Sequence, residues 1–114
     1  MNEQITLFQW LADQTDLDKI SEPEMVEQIG AALGVNFTKN DFFGDYRVKI
    51  GKITLCLEYI TYFDDGRRFI GADVNTTSAG ASNPCDSIEE AISFFKRTIP
   101  RFKKKKAERE TKTA

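Results

Sequence analysis

The sequence predicts an α+β domain in which two helices flank a three-stranded antiparallel meander, in the order α-β-β-β-α. Three stretches predict it: capped helical segments at 21–34 and 85–100, and between them alternating apolar and polar residues interrupted by short turns at 45–75. Both helices are expected on the apolar face of the sheet, which gives two layers. A chain of 114 residues with 40% hydrophobic content suits one such domain, assigned to residues 21–100.

The first helix is predicted from "SEPEMVEQIGAALG". Ser21 is a favourable N-cap, and Glu24 three residues later completes a capping box. Apolar side chains recur on one stripe until Gly34, which ends the helix because glycine readily adopts the left-handed conformation.

Two hairpin turns, Gly51-Lys52 and Asp65-Gly66, define the meander, because two-residue turns determine strand register. The first turn predicts the opposed pairs Ile50/Ile53, Val48/Leu55 and Tyr46/Leu57. The second turn predicts the opposed pairs Leu57/Val74, Tyr59/Ala72 and Thr61/Ile70. This register predicts that Leu55, Leu57, Ile70 and Val74 are buried. It leaves Arg47, Lys49 and Thr54 unburied on the other face.

The remaining segments are predicted to be loops, the second helix and two terminal segments. The stretch at 35–45 is predicted as a loop with aromatic anchors and the stretch at 76–84 as a small-residue loop, and the second helix ends before Pro100. An apolar segment precedes the domain at 1–14, and a basic tail follows it at 101–114. Residues 96–112 have a net charge of +7, which leaves −9 on residues 1–95.

The composition argues against common catalytic machinery. The chain has no histidine, which removes the usual nucleophile triads and the commonest zinc ligand. It also lacks the glycine patterns of phosphate-binding loops. The sequence therefore predicts a protein that is not an enzyme and has no cofactor. Cys56 and Cys85 are expected to be reduced and buried. With no apolar span and no signal peptide evident, a cytoplasmic location without a membrane partner is expected.

Three carboxylates, Asp45, Glu58 and Asp73, are predicted to stand opposite one another on neighbouring strands, on the face away from the helices. Like charges in such positions repel. Three interpretations remain open: a solvated strip neutralised by Arg47 and Lys49, an acidic patch facing a partner, or a metal site for magnesium-dependent phosphoryl transfer.

The same face carries Ile60, Tyr62 and Phe69, with Tyr62 and Phe69 predicted as cross-strand neighbours. An apolar patch beside an acidic strip is typical of a protein interface. The alternative is that residues 5–12 form a further short helix that folds back over this patch.

The stretch "QITLF" at 4–8 resembles the peptide by which bacterial proteins bind the replication sliding clamp. The resemblance implies that Gln4, Leu7 and Phe8 enter the pocket of the clamp. Thr6 departs from the serine or aspartate usual in that peptide. The alternative is a short helix that packs on the domain itself.

The order helix, three-stranded meander, helix over residues 21–100 is similar to the double-stranded RNA-binding domain. That family binds phosphates through lysines at the start of its last helix. This chain has "DSIEE" at 86–90, which would repel phosphate. The resemblance therefore implies the fold and not the RNA-binding surface.

The protein resembles the accessory proteins of bacterial mobile genetic elements in its small size, its acidic body and its clamp-like peptide. Anti-CRISPR inhibitors are examples of such proteins. The sequence thus predicts a non-enzymatic module that inhibits or recruits a bacterial nucleic-acid enzyme, such as an RNA-guided nuclease or the replication clamp. The first alternative is a nucleic-acid-binding domain that uses the basic tail, through Arg101, Lys103, Lys104, Lys105 and Lys106, with binding expected to be weak and non-specific. The second is a metal-dependent phosphoryl-transfer enzyme at the three carboxylates.

Overall fold

The computed structural model describes residues 17–61 and 66–113, with side chains as far as Lys103. Residues 17–19 belong to a small N-terminal helix. The elements that follow are α1 (Glu22–Leu33), β1 (Thr38–Lys39), β2 (Tyr46–Ile50), β3 (Ile53–Thr61), β4 (Arg68–Asn75), β5 (Gly80–Cys85) and α2 (Ile88–Thr113). Within the described residues the strands form one antiparallel sheet in sequential order, so the predicted α+β class is confirmed.

The helix α1 begins and ends as its sequence predicts. The hydroxyl of Ser21 accepts a hydrogen bond from the backbone N–H of Glu24 at 3.3 Å. Gly34 terminates the helix in the left-handed conformation, with φ 73°. Further along the chain, the backbone N–H of Tyr59 in β3 donates to the Glu22 carboxylate at 2.9 Å, which ties the start of α1 to the sheet.

The hydrophobic core lies between the sheet and the two helices. Strands β3 and β4 contribute Leu55, Leu57, Ile70, Ala72 and Val74, and the helices contribute Met25, Ile29 and Phe95, all fully buried. Burial is therefore confirmed for the four side chains that the register predicted to be buried. Arg47 and Thr54 are half-buried and Lys49 is exposed, which also agrees with the prediction.

The predicted register is confirmed for the first hairpin and wrong for the second. Around Gly51 the pairs are those predicted, including Val48 opposite Leu55. In the second hairpin Leu57 faces Ala72 rather than Val74, and pairing ends at Thr61 and Arg68. The connection is therefore longer than the Asp65-Gly66 turn. The predicted assignment of side chains to the two faces of the sheet is still correct. Side chains alternate with period two, so a two-residue shift keeps each side chain on its face.

The predicted three-stranded meander is also wrong, because a strand is added at each side. Thr38–Lys39 in the expected loop pairs with β2, and the stretch Gly80–Cys85 pairs along β4. The sequence of β5 is "GASNPC", which has no β-branched or aromatic residue. Pro84 is tolerated in β5 because this strand lies at the edge of the sheet, and an edge strand has a side on which no ladder hydrogen bond is needed.

The second helix does not end before Pro100. It contains Pro100 and continues to Thr113, so the backbone of the expected tail is helical. Proline in a helix removes one N–H donor and clashes with the preceding turn, which is why the sequence predicted an end here. The residues before Pro100 are held by the core, where Phe95 is fully buried and Ile99 packs against it.

Substitution by alanine is expected to affect stability differently at two glycines, Gly30 and Gly71. A Cβ on Gly30 would lie 2.6 Å from the backbone oxygen of Val35, whereas a Cβ on Gly71 would lie 2.6 Å from the flexible end of Ile60. We expect Gly30→Ala to lower the free energy of unfolding by about 1–2 kcal/mol, because the overlap outweighs the gain in helix propensity. Gly71→Ala should change it by less than about 1 kcal/mol, since Ile60 can rotate away. Urea denaturation measures both, and equal effects would contradict the backbone placement of Gly30.

Candidate protein-binding surface

The face of the sheet away from the helices, which we call the distal face, carries the residues that the sequence predicts to bind a partner. Cross-strand pairing places one residue from each strand side by side on this face: Thr38, Arg47, Cys56, Asp73 and Ser82. These residues alternate along the strands with the core residues on the other face, as expected for an antiparallel sheet with helices packed on one side.

Asp45 and Arg47 form a two-bond ion pair at the start of β2. The Nε atom of Arg47 donates to Asp45 Oδ1 at 2.9 Å, and Nη2 donates to Oδ2 at 3.2 Å. The hydrogen bond to Asp45 raises the pKa of the Arg47 guanidinium. Asp45 is 9% exposed, so this pair belongs partly to the framework of the domain.

Glu58 lies in an acidic environment that this pair does not neutralise. Partial burial raises the pKa of Glu58, and the nearby charges of Asp45 and Asp73 raise it further against a smaller opposing effect of Arg47. Among the described side chains neither Glu58 nor Asp73 forms an ion pair. The three predicted carboxylates therefore interact electrostatically. Of the two cations predicted to neutralise them, Arg47 forms an ion pair with Asp45, and Lys49 forms none with a described side chain.

The arrangement of these carboxylates differs from the predicted row. Asp73 stands opposite Cys56, and Glu58 stands opposite Gly71, because the register of the second hairpin is shifted by two residues. Within residues 17–61 and 66–113, no three His, Cys, Asp or Glu side chains are grouped so that they could hold a metal ion. The predicted grouping of the three carboxylates as a metal site is therefore not present among the described residues.

The predicted apolar patch is present in part. Ile60 is the cross-strand partner of Phe69, so the predicted pairing of Phe69 with Tyr62 is wrong for the same reason of register. Both Ile60 and Phe69 are half-buried. Tyr62 lies outside the described residues.

The sequence did not predict the most exposed aromatic side chains. Phe42 is 87% exposed and Phe43 is 61% exposed, although the stretch was expected to anchor the loop. Their rings meet edge to face with centroids 4.7 Å apart. We call residues 40–44 the aromatic turn. The guanidinium of Arg47 lies 4.4 Å from the centre of the Phe43 ring, which joins the aromatic turn to the distal face. Of the expected anchors, Phe37 does pack on the core, 6.3 Å from the Phe95 ring.

Asn40 holds the aromatic turn in one conformation. Its side-chain oxygen accepts hydrogen bonds from the backbone N–H groups of Phe42 at 3.0 Å and Phe43 at 2.9 Å. Its backbone N–H donates to the carbonyl of Asp45 at 2.7 Å, and Gly44 supplies a left-handed φ of 77°. An asparagine followed by a glycine four residues later is a turn signal that could have indicated an exposed position for these rings.

Other predicted binding residues are either at the surface or outside the described part. Arg101 and Lys103 are exposed on α2. The side chains of Lys104, Lys105 and Lys106 are outside the described residues, and so is the clamp-like peptide with Gln4, Leu7 and Phe8. Nucleic-acid binding through the basic tail and clamp binding through residues 4–8 therefore remain predictions.

Both cysteines are buried, as predicted. Burial is the main cause that raises the pKa of both thiols, and it raises that of Cys85 to about 11. A thiol with such a pKa is almost entirely protonated at neutral pH, so neither cysteine has the low pKa of a nucleophile.

No protein family, curated protein or solved structure that was compared with this chain matches it. In the part of the chain that the structure describes, every helix is too short or too polar to cross a membrane.

Proposed function

We propose that this protein is a non-enzymatic binding module that inhibits or recruits a bacterial nucleic-acid enzyme through its distal face and the adjoining aromatic turn. The observation that supports it most strongly is the pair of exposed rings of Phe42 and Phe43, on a backbone that Asn40 holds by two hydrogen bonds. Arg47 connects these rings to the distal face, where Glu58 and Asp73 form no ion pair with a described side chain. The proposal keeps the predicted residues Asp45, Ile60 and Phe69 as the surroundings of this centre.

The aromatic turn has the properties of an interface anchor. Two adjacent large apolar side chains at this exposure give up the stabilisation that burial would provide, so the fold itself does not explain them. Asn40 fixes the backbone that carries them, and a fixed conformation lowers the entropy lost on association. Buried aromatic side chains at the centre of an interface commonly contribute most of its affinity.

The acidic side chains favour a basic partner surface. Glu58 has a raised pKa partly because the charges around it are mostly negative, and cationic groups of a partner would relieve that repulsion. Enzymes that act on nucleic acids bind phosphates in grooves lined with Lys and Arg. Carboxylates on a sheet face can occupy such a groove and compete with the nucleic acid, which is how an inhibitor of this class would act.

Charge reversal tests the proposal. The protein is immobilised and incubated with nuclease-treated bacterial lysate, and the retained proteins are identified by mass spectrometry. Duplex DNA is then added in excess. We expect nucleic-acid enzymes to be retained, to be released by DNA, and to bind the variant Glu58→Lys/Asp73→Lys more weakly by at least about tenfold, because attraction between opposite charges across the interface becomes repulsion.

The matched control is Glu27→Lys/Glu89→Lys, which makes the same charge change at exposed positions on the two helices. Its binding should equal that of the wild type. Retention that resists DNA, or equal losses in both double variants, would show that the distal face does not engage a nucleic-acid-binding groove.

A further inference from the structure

A cavity of about 280 Å³ lies on the helix side of the domain, between the edge strand β5 and the turns of α2 at 94–102. The strand contributes backbone and short side chains at Gly80, Ala81 and Asn83. The helix contributes Phe94, Arg97, Thr98, Arg101 and Phe102. The volume is near the lower end of the range for small-ligand sites.

The chemistry of the lining is divided between aromatic and cationic groups. Phe94 and Thr98 are each 5% exposed and form the inner wall, while Phe102 is half-buried. Arg97 and Arg101 are exposed and one helical turn apart, so both project from the same side of α2. Among the described residues that line the cavity there is no carboxylate.

The two arginines are available for an anion. Neither forms an ion pair with any described side chain, and Arg97 contacts the Phe94 ring, with its guanidinium carbon 6.0 Å from the ring centre. In sequence, the residues four positions before and after Arg101 are Arg97 and Lys105, so its nearest neighbours along the helix add positive charge. Two guanidinium groups at the rim of an aromatic cavity match a phosphate joined to a planar ring.

We infer that this cavity binds a nucleotide, with its phosphate at Arg97 and Arg101 and its base against Phe102 and Phe94. Stacking of a base on an aromatic side chain, combined with cationic contacts to the backbone, is the usual means of binding single strands. The helix α2 continues past the cavity, and Lys103, two residues after Arg101, is also exposed and basic. A base within a duplex is stacked and paired, and it cannot enter a cavity of this size without leaving the helix.

This site is separate from the distal face, because it lies at the β5 edge on the side of the sheet that carries α2. It also differs from non-specific attraction by the basic tail, since it requires particular arginines and an open cavity. Those two requirements allow the site to be tested independently of the proposed protein partner.

The test measures fluorescence anisotropy of a labelled short oligo-deoxyadenylate, with the matching duplex and free AMP as further probes, at low salt. We expect the single strand to bind more tightly than the duplex. Arg97→Ala should weaken its binding about tenfold, as loss of a charge-assisted phosphate contact does. The matched control Lys96→Ala removes the same charge from the adjacent exposed position, which does not line the cavity, and should weaken binding less than about threefold.

A second variant, Ala81→Leu, fills the cavity while it keeps every positive charge, and it should also weaken binding about tenfold because the base loses its stacking partners. Release of the labelled strand by excess AMP would identify a free nucleotide as a sufficient ligand. Failure of AMP to compete, with sensitivity to Ala81→Leu retained, would identify the strand as the source of the nucleotide. The inference is overturned if duplex and single strand bind equally, if Lys96→Ala equals Arg97→Ala, if Ala81→Leu has no effect, or if no probe binds.

Discussion

Replacing Phe95 with alanine should lower the free energy of unfolding by about 3–5 kcal/mol. Phe95 has no exposed surface, and its ring centre lies 5.5 Å from that of Phe94 and 6.3 Å from that of Phe37. The side chain of Phe95 therefore joins α2 to the stretch that follows α1 as well as to the sheet. Truncation removes this packing and leaves a cavity that a close-packed core can close only in part.

The matched control for this prediction is Phe42→Ala, the same chemical change at a side chain that is 87% exposed. It should alter the free energy of unfolding by less than about 0.5 kcal/mol, because surface truncations away from special features are nearly neutral. Urea denaturation measures both variants, with the same dependence of the free energy of unfolding on urea concentration used for each. A loss below about 1 kcal/mol for Phe95→Ala would contradict the packing of α2 on the sheet.

The hydrophobic pattern predicts the faces of the sheet better than its register. Leu55, Leu57, Ile70 and Val74 share one face in both the predicted and the observed pairing, because those pairings differ by two residues. The pattern alone cannot distinguish such registers, and the choice then depends on the turn. Asp65-Gly66 indicated a two-residue turn, whereas the observed pairing places Leu55 opposite Val74 and Tyr59 opposite Ile70. Large apolar side chains thereby oppose one another across the strands, a tertiary preference that a local turn signal does not contain.

The edge strand and the aromatic turn show two other limits of prediction from the sequence. The residues of β5 have low strand propensity, and they become a strand because β4 offers an unpaired edge and Ala81 and Cys85 turn toward the core. The rings of Phe42 and Phe43 were expected to anchor a loop because most aromatic side chains are buried. Their exposure follows from the hydrogen bonds of Asn40, which direct this short turn away from the core.

Replacing both exposed rings, as Phe42→Ser/Phe43→Ser, should weaken binding of the proposed partner enzymes by at least about a hundredfold. Each ring would be desolvated in the complex, and aromatic anchors at an interface centre commonly contribute roughly 2 kcal/mol or more. Stability should fall by less than about 1 kcal/mol, since the principal interaction of these rings with the rest of the domain is that of the Phe43 ring with Arg47. Binding is measured by biolayer interferometry with a partner identified from lysate.

Two further variants separate the rings from the turn that holds them. Phe42→Tyr/Phe43→Tyr keeps both aromatic faces and should retain binding within about tenfold of the wild type. Asn40→Ala keeps the rings but removes the side-chain oxygen that accepts from both backbone N–H groups, and it should weaken binding to an intermediate extent because the turn must be ordered on association. Unchanged binding of the double serine variant would place the interface elsewhere, since the distal face would then engage its partner without the most exposed apolar groups of the described residues.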